Sequence, residues 1–248
     1  MGETCCAYFV DGKCKETYLE HIYCMLKVWE GIKKFYLKSL RRAIGLDDVD
    51  NLVKIAILSH DAGKLLEEYK HNKFMFRHEV IGSYIAYNLV NDDKAKAIVS
   101  SAVLLHHESG ILGIYAGQFR EKYVPISTIK AVLENAERKG TLRPYCELCQ
   151  DPYYTRVKNL PISEMNNVLQ KVDPEGVTKV VKHVIISSIS NDSLVFRNKV
   201  SAFLHVLTLV DSVAANLNRS DNKDEGTWIT KMAQAGAEIL PDIRCDEK

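Results

Sequence analysis

The chain has 248 residues, 46% of them hydrophobic and 26% charged, and its 33 basic side chains against 32 acidic ones leave a formal charge of +1. That composition fits one globular unit able to bury a sizeable core. It excludes a global electrostatic pull toward nucleic acid or an anionic membrane, so any such attraction must come from local patches.

The opening stretch "MGETCCAYFVDGKCKET" lacks a basic start followed by an apolar run, which argues against a secretory signal. Cys6 also stands where a myristoylation motif wants Ser or Thr. Asp11-Gly12 favours a tight turn and hence a short N-terminal hairpin. From about Glu16 to Leu40, Leu19, Ile22, Tyr23, Leu26, Trp29, Ile32 and Tyr36 recur every three or four residues, the stripe of an amphipathic helix. A second helix is predicted from about Asp50, as its N-cap, through His60. A third follows His78 over "EVIGSYIAYNLV", and a fourth, "DKAKAIVSSAVLLHH", ends at His106 and His107.

Residues 108–173 are broken by Gly110, Gly113, Gly117, Pro125, Gly140, Pro144, Pro152 and Pro161. They read as an irregular insertion with one helix near residues 126–138. Asp173-Pro174 then resembles an N-cap followed by proline at the first helical position. It should open a helix to about Ser190, with a long one from about Asn191 through Asn218. The last thirty residues are polar, with one helix around 228–239. No apolar stretch approaches the roughly 20 residues of a membrane span, so a cytoplasmic location without membrane attachment is expected. The prediction is one all-α domain over 1–248, a helical bundle with its core at about 16–107 and 174–218 and a C-terminal extension at about 219–248.

Seven cysteines is an odd number, and reduced thiols are the default expectation. Cys146 and Cys149 form the exception, a CxxC that could hold zinc together with Cys5 and Cys6, or close a local disulfide.

Chemistry concentrates in polar residues stranded on apolar helical faces. His21 sits in "YLEHIYCML", His60-Asp61 closes the run "KIAILSHD", His78 precedes "EVIGSY", His106 and His107 end "AVLLHH", and Asp211 follows "LHVLTLV". Each alone is compatible with a hydrogen-bonded core residue. Together they are hard to satisfy separately, and imidazole with carboxylate is the mixed donor set that binds divalent transition metals. Burying Asp61 is costly unless a positive charge compensates it, and a metal ion would. Gly82, one turn after His78, would let another backbone approach closely. Lys64, one turn from His60, could touch a substrate phosphate, pair with a ligand carboxylate, or be solvated beside Glu67 and Glu68.

This pattern resembles the HD phosphohydrolase superfamily: a histidine (His21), a His-Asp doublet (His60-Asp61) and a distant aspartate (Asp211). "HDAGK" resembles its His-Asp-x-Gly-Lys form. "RHEVIGSYIA" looks like its His-Glu-x-x-Gly-Ala stretch with Ser83 in place of alanine, and "LLHHESG" like its double histidine before a glycine. The combination, over roughly residues 16–218, is similar to the free-standing HD nuclease of type I CRISPR interference. With no GxxxxGK[ST] in the chain, any helicase and effector complex would be separate polypeptides. The resemblance implies an HD-domain helical bundle and two divalent metal ions, with manganese, iron, cobalt, nickel, magnesium and zinc as candidates. One would be held by His21, His60, Asp61 and Asp211, the other by Asp61, His78, His106 and His107. Asp61 and Lys64 would be the catalytic side chains, with a metal-activated hydroxide attacking a phosphodiester.

The substrate clue is "YKHNKFMFRHE", in which Lys70, Lys73 and Arg77 alternate with Phe74 and Phe76 before His78. Basic groups that follow phosphates and aromatic faces that stack on bases suit a single strand. The expected nucleic-acid contacts are Lys70, Lys73, Phe74 and Arg77, and the expected substrate is single-stranded DNA, with RNA as a second candidate. The competing interpretation makes the phenylalanines plugs for the core. The competing function is an HD phosphohydrolase acting on a small nucleotide or cyclic nucleotide. The basic run at 33–42 reads as the exposed face of the first helix, and His71, His183 and His205 fall outside the constellation.

Overall fold

The computed structural model describes residues 3–72, 75–107, 126–189, 192–219 and 245. Two strands, β1 (Cys6–Val10) and β2 (Lys13–Thr17), pair antiparallel across Asp11-Gly12, both at positive φ, as such a turn requires. Thr17 ends the hairpin and starts helix α1 (Tyr18–Ile44) through a reciprocal cap: its hydroxyl accepts from the Glu20 N–H, and the Glu20 carboxylate accepts from the Thr17 N–H. Gly45, left-handed at φ 76°, closes the helix.

The remaining described helices are α2 (Val49–Ser59), α3 (Glu67–His71), α4 (His78–Leu89), α5 (Asp93–Leu105), α6 (Ile126–Lys139), α7 (Ile162–Leu169), α8 (Pro174–Ile189) and α9 (Ser193–Asn218). A 3-10 turn at Ala62–Leu65 links α2 to α3. Among the described residues the regular structure is thus helical apart from the hairpin. Helix α1 packs along α9, α4 along α5, and α9 also against α5, with α2 in contact with α1, α4 and α5. The shared core runs from Leu19, Met25 and Trp29 through Ile57, Ile81 and Val99 to Phe203 and Val210.

Several local expectations need correction. Helix α2 begins at Val49 after Asp48; Asp50 is not its cap but accepts from Trp29 Nε1 at 2.8 Å and Lys54 Nζ at 2.6 Å. In the stretch after residue 125, Leu133, Leu148, Val157, Ile162, Met165 and Leu169 join the main core, so this segment is a packed part of it. Its chain at 141–145 laces onto the turn after α2: Glu67 and Glu68 N–H donate to the carbonyls of Arg143 and Thr141, and Tyr145 N–H to that of Leu65. Asp173 does cap α8, accepting from the Gly176 N–H at 2.7 Å. The expected helix at 228–239 lies outside the described residues.

The expectation of reduced thiols is also overturned. Cys5 pairs with Cys146, Cys6 with Cys14 and Cys24 with Cys245, at Cα separations of 5.3, 5.7 and 5.0 Å, all within disulfide reach. Cys146 is therefore engaged by Cys5 rather than by zinc or Cys149, which is free and exposed. The hairpin and the lacing at 141–145 bring together cysteines whose spacing in the chain gave no sign of it.

Contrary to the expectation that no stretch approaches membrane length, helix α9 is long and apolar enough to cross a bilayer by length and composition. One face of it lies in the core, through Val200, Phe203, Val206, Leu207, Val210, Val213 and Ala214.

Candidate metal centre

The doublet His60-Asp61 sits where α2 ends and the 3-10 turn begins, and two glycines set its position. A Cβ on Gly63 would lie 2.4 Å from the His78 carbonyl oxygen, and one on Gly82 2.4 Å from that of His60. The turn and the first helical turns of α4 are therefore in backbone contact that only glycine allows at both points. This closeness brings His78 Nε2 to 3.1 Å from Asp61 Oδ1. Helix α5 delivers His106 and His107 at its C-terminal end, with Nε2 atoms 3.7 and 3.9 Å from the same Oδ1.

Asp61 Oδ2 faces the other way, 3.5 Å from His60 Nε2 and 2.7 Å from Lys64 Nζ. Asp211, from the middle of α9, places Oδ1 3.1 Å from His21 Nε2 and 3.8 Å from His60 Nε2. Two donor groups result, one of His21, His60 and Asp211, the other of Asp61, His78, His106 and His107; within each, the donor atoms lie within 4.8 Å of one another. The Asp61 carboxylate presents one oxygen to each group.

The imidazoles are oriented from behind. His60 Nδ1 lies 2.8 Å from the Ile57 carbonyl and His106 Nδ1 2.6 Å from that of Val103, so both rings donate there. Their Nε2 atoms face inward as acceptors. His21 Nδ1 instead meets the Glu16 carboxylate at 2.8 Å. The inward atoms find nothing: His60 Nε2, His78 Nε2, His106 Nε2 and Asp61 Oδ1 are buried without a hydrogen-bond partner. The short His78–Asp61 approach is too poorly aligned to count as one. Four unpartnered polar atoms, one in the His60 group and three in the Asp61 group, fit divalent cations, because leaving each unsatisfied is costly and imidazole with carboxylate is the donor set such ions take.

The electrostatics agree. Burial pushes His60 down to about 3 against the pull of Asp61 and Asp211, so it is neutral and ready to ligate. Burial likewise holds His78 below its ordinary value, although Asp61 pulls it upward. Burial should raise Asp61, but the Lys64 ammonium and then His60 keep it well below the usual carboxylate range. For His21 burial is outweighed by its hydrogen bonds to Asp211 and Glu16, which lift it to about 9. In the metal-free protein Lys64 and a protonated His21 are thus the positive charges that compensate the buried carboxylates. Of the seven side chains His107 is the most exposed, at 43%.

All seven predicted ligands converge, and Lys64 lies against Asp61. The nucleic-acid stretch is more divided. Lys70 pairs with Glu3 and lies over the Tyr145 ring, and Arg77 pairs with Glu79. Lys73 and Phe74 fall outside the described residues, and Phe76, 1% exposed, is a core plug. His71 and His183 are exposed, His183 edges onto Tyr87, and His205 stacks on Tyr36. Sequence reasoning missed Glu16, which is 2% exposed. The Thr17-x-x-Glu20 capping box was the available signal: it starts the helix after Glu16 and turns that side chain back toward His21.

Comparison with known proteins identifies the family. The model of the HD domain matches residues 20–140. The chain is 29% identical to the CRISPR-associated endonuclease Cas3-HD of Thermoproteus tenax, over 92% of this chain and 96% of that one. It is 30% identical to the protein of the same description from Pyrococcus furiosus, over 79% and 86%. The fold superposes on the CRISPR-associated Cas3 HD domain protein from Methanocaldococcus jannaschii with a TM-score of 0.54, at 23% identity, covering 77% of this chain and 94% of that one. Fold, donor constellation and these likenesses together make the chain a member of the HD domain family, within its Cas3-HD group of CRISPR-associated endonucleases.

Proposed function

We propose that the protein hydrolyses phosphodiester bonds of single-stranded DNA, with RNA as a second candidate substrate, in CRISPR defence, using two divalent ions held by the seven ligands. The observation that carries the reading is the convergence of buried, unpartnered His60, His78 and His106 Nε2 and Asp61 Oδ1. Bound divalent ions would supply Lewis acidity, lowering the pKa of water and stabilising charge on the phosphodiester. The protein's own groups do the rest. His60 and His106 are locked by backbone carbonyls in the tautomer that leaves Nε2 available. Asp61 offers one oxygen to each donor group, which supports a bridging role. Lys64, held 2.7 Å from Asp61 in the metal-free protein, would be released once cations compensate that carboxylate and could then meet a substrate phosphate. The exposed edge of His107 supports access of a strand from that side.

Lys70, Lys73, Phe74 and Arg77 are the proposed contacts to the strand. Lys70 and Arg77 would exchange Glu3 and Glu79 for phosphates, a swap that is electrostatic and weakens with salt. We further propose that the protein works in the cytoplasm with a helicase on a separate chain.

The test is incubation of Mn2+-loaded protein with labelled single-stranded DNA, RNA, duplex DNA and a panel of nucleotides and cyclic nucleotides. Cleavage of the single strands that is lost with EDTA and in Asp61→Ala supports the proposal. Turnover of the nucleotides alone would replace it with a small-molecule phosphohydrolase.

A further inference from the structure

We propose that Glu16 is the positioning residue for His21, and that through it the N-terminal hairpin and the end of α9 hold that ligand ready for a cation. This rests on the metal-centre reading above.

His60 and His106 stand at helix C-termini, where a carbonyl three residues earlier receives the Nδ1 proton. His21 lies in the first turn of α1, behind which the chain is already hairpin. The acceptor is supplied by β2 instead: Glu16 Oε1 lies 2.8 Å from His21 Nδ1. A carboxylate there makes the other ring nitrogen a better donor to a cation than a carbonyl does, because it stabilises positive charge spreading over the ring.

The carboxylate is itself built in. Asn218 Nδ2 donates to its Oε1 at 2.6 Å. Arg219 grips Oε2 through Nε at 2.7 Å and through a terminal nitrogen at 2.6 Å. The Arg219 guanidinium in turn lies 4.2 Å from the Tyr8 ring centroid. With Arg219 on Oε2 and Asn218 and His21 on Oε1, both oxygens of the carboxylate are held, which fixes its plane as well as its place. Asn218 and Arg219 end the same helix that carries Asp211, about two turns earlier. One helix therefore acts on His21 from both sides, directly by Asp211 at Nε2 and, through Asn218 and Arg219, by way of Glu16 at Nδ1. Because linkage is reciprocal, a cation at His21 should also hold the hairpin against α9.

The experiment uses the full-length protein and Zn2+, which is diamagnetic. Calorimetric titration of wild type, Glu16→Gln and Glu16→Ala reads the affinity of each ion, and long-range 1H–15N correlation of the imidazoles reads the His21 tautomer. In Glu16→Ala the ion at His21, His60 and Asp211 should bind about 10–100-fold more weakly. The other ion should be unchanged and the His21 Nδ1 proton lost to exchange. Glu16→Gln keeps an acceptor oxygen and should restore the Nδ1 proton while recovering only part of the affinity. Wild-type affinity in Glu16→Gln, or a wild-type His21 without a proton on Nδ1, overturns the inference even if the alanine variant fails to fold. No Zn2+ binding by the wild type would instead overturn the metal-centre reading itself.

Discussion

Replacing Gly82 with alanine sets two effects against each other. In an ordinary helix interior the change stabilises by about 0.5–1 kcal/mol, because alanine has less backbone entropy to lose. Here the new Cβ would lie 2.4 Å from the His60 carbonyl oxygen and 2.6 Å from that of Ser59. Ordinary contact begins near 3.4 Å, so α4 and the end of α2 must separate by about 1 Å. Both obstacles are backbone, so no side chain can rotate away. Overpacking of this kind costs about 1–3 kcal/mol, and the rigid case belongs at the upper end. The net loss is then about 2 kcal/mol, or roughly 4–8 °C in Tm for a chain of this size. Metal binding should suffer more, since ligand distances tolerate only about 0.2 Å and the displaced elements carry His60, Asp61 and His78. Thermal melts in EDTA, followed by Zn2+ titration of wild type and Gly82→Ala, measure both. A Gly82→Ala protein that melts at or above the wild-type temperature and binds Zn2+ equally well would refute the argument from backbone contact.

Ser83, where the family pattern has alanine, is fully buried with a hydroxyl that has no partner; Ser83→Ala should raise Tm by about 2–4 °C, the yield of removing an unsatisfied group worth about 1 kcal/mol, and a fall would show that the hydroxyl has a partner. Stability of the metal-free protein should peak near pH 6.5. His60, lowered from 6.5 to about 3, binds a proton more readily unfolded, so its contribution is complete above pH 6.5 and is lost as pH falls toward 3. His21, raised to about 9, contributes fully below pH 6.5 and loses its contribution as pH rises through 9. At about 1.36 kcal/mol per unit each limb is on the order of 3–5 kcal/mol, and melts in EDTA from pH 4.5 to 9.5 that rise steadily in one direction would contradict this. Thiol titration of the unreduced protein should find one reactive cysteine, Cys149, and seven after reduction and unfolding; three or more before reduction would mean that the cross-links are open.

What the sequence made legible follows from its physics. The stripe beginning at Leu19 and Ile22 declares a helix because burial needs a 3.6-residue period. His21, His60 and Asp211 stood out because a polar group amid Ile and Leu is unusual unless something satisfies it. Gly82 was readable for the same reason: a helical glycine beside a ligand implies close approach. The missing parts depend on contacts between distant segments. Glu16 lies five residues from His21, but Asn218 and Arg219, which make it a built site, lie more than 200 residues away. Cys5 and Cys146 are 141 residues apart and Cys24 and Cys245 are 221 apart, so no spacing rule could pair them. Within the aromatic and basic alternation before His78, Phe76 fills the core while Met75 beside it is exposed, a division that the composition of the stretch does not reveal.

The central claim is that seven side chains from α1, the α2 turn, α4, the end of α5 and α9 enclose two cations that share Asp61. Anomalous diffraction from crystals of the Mn2+-loaded protein tests it directly. The account predicts two peaks about 3.5–4 Å apart, one among His21, His60 and Asp211 and one among His78, His106 and His107, with an Asp61 oxygen toward each. A single peak, or density away from these residues, would contradict it.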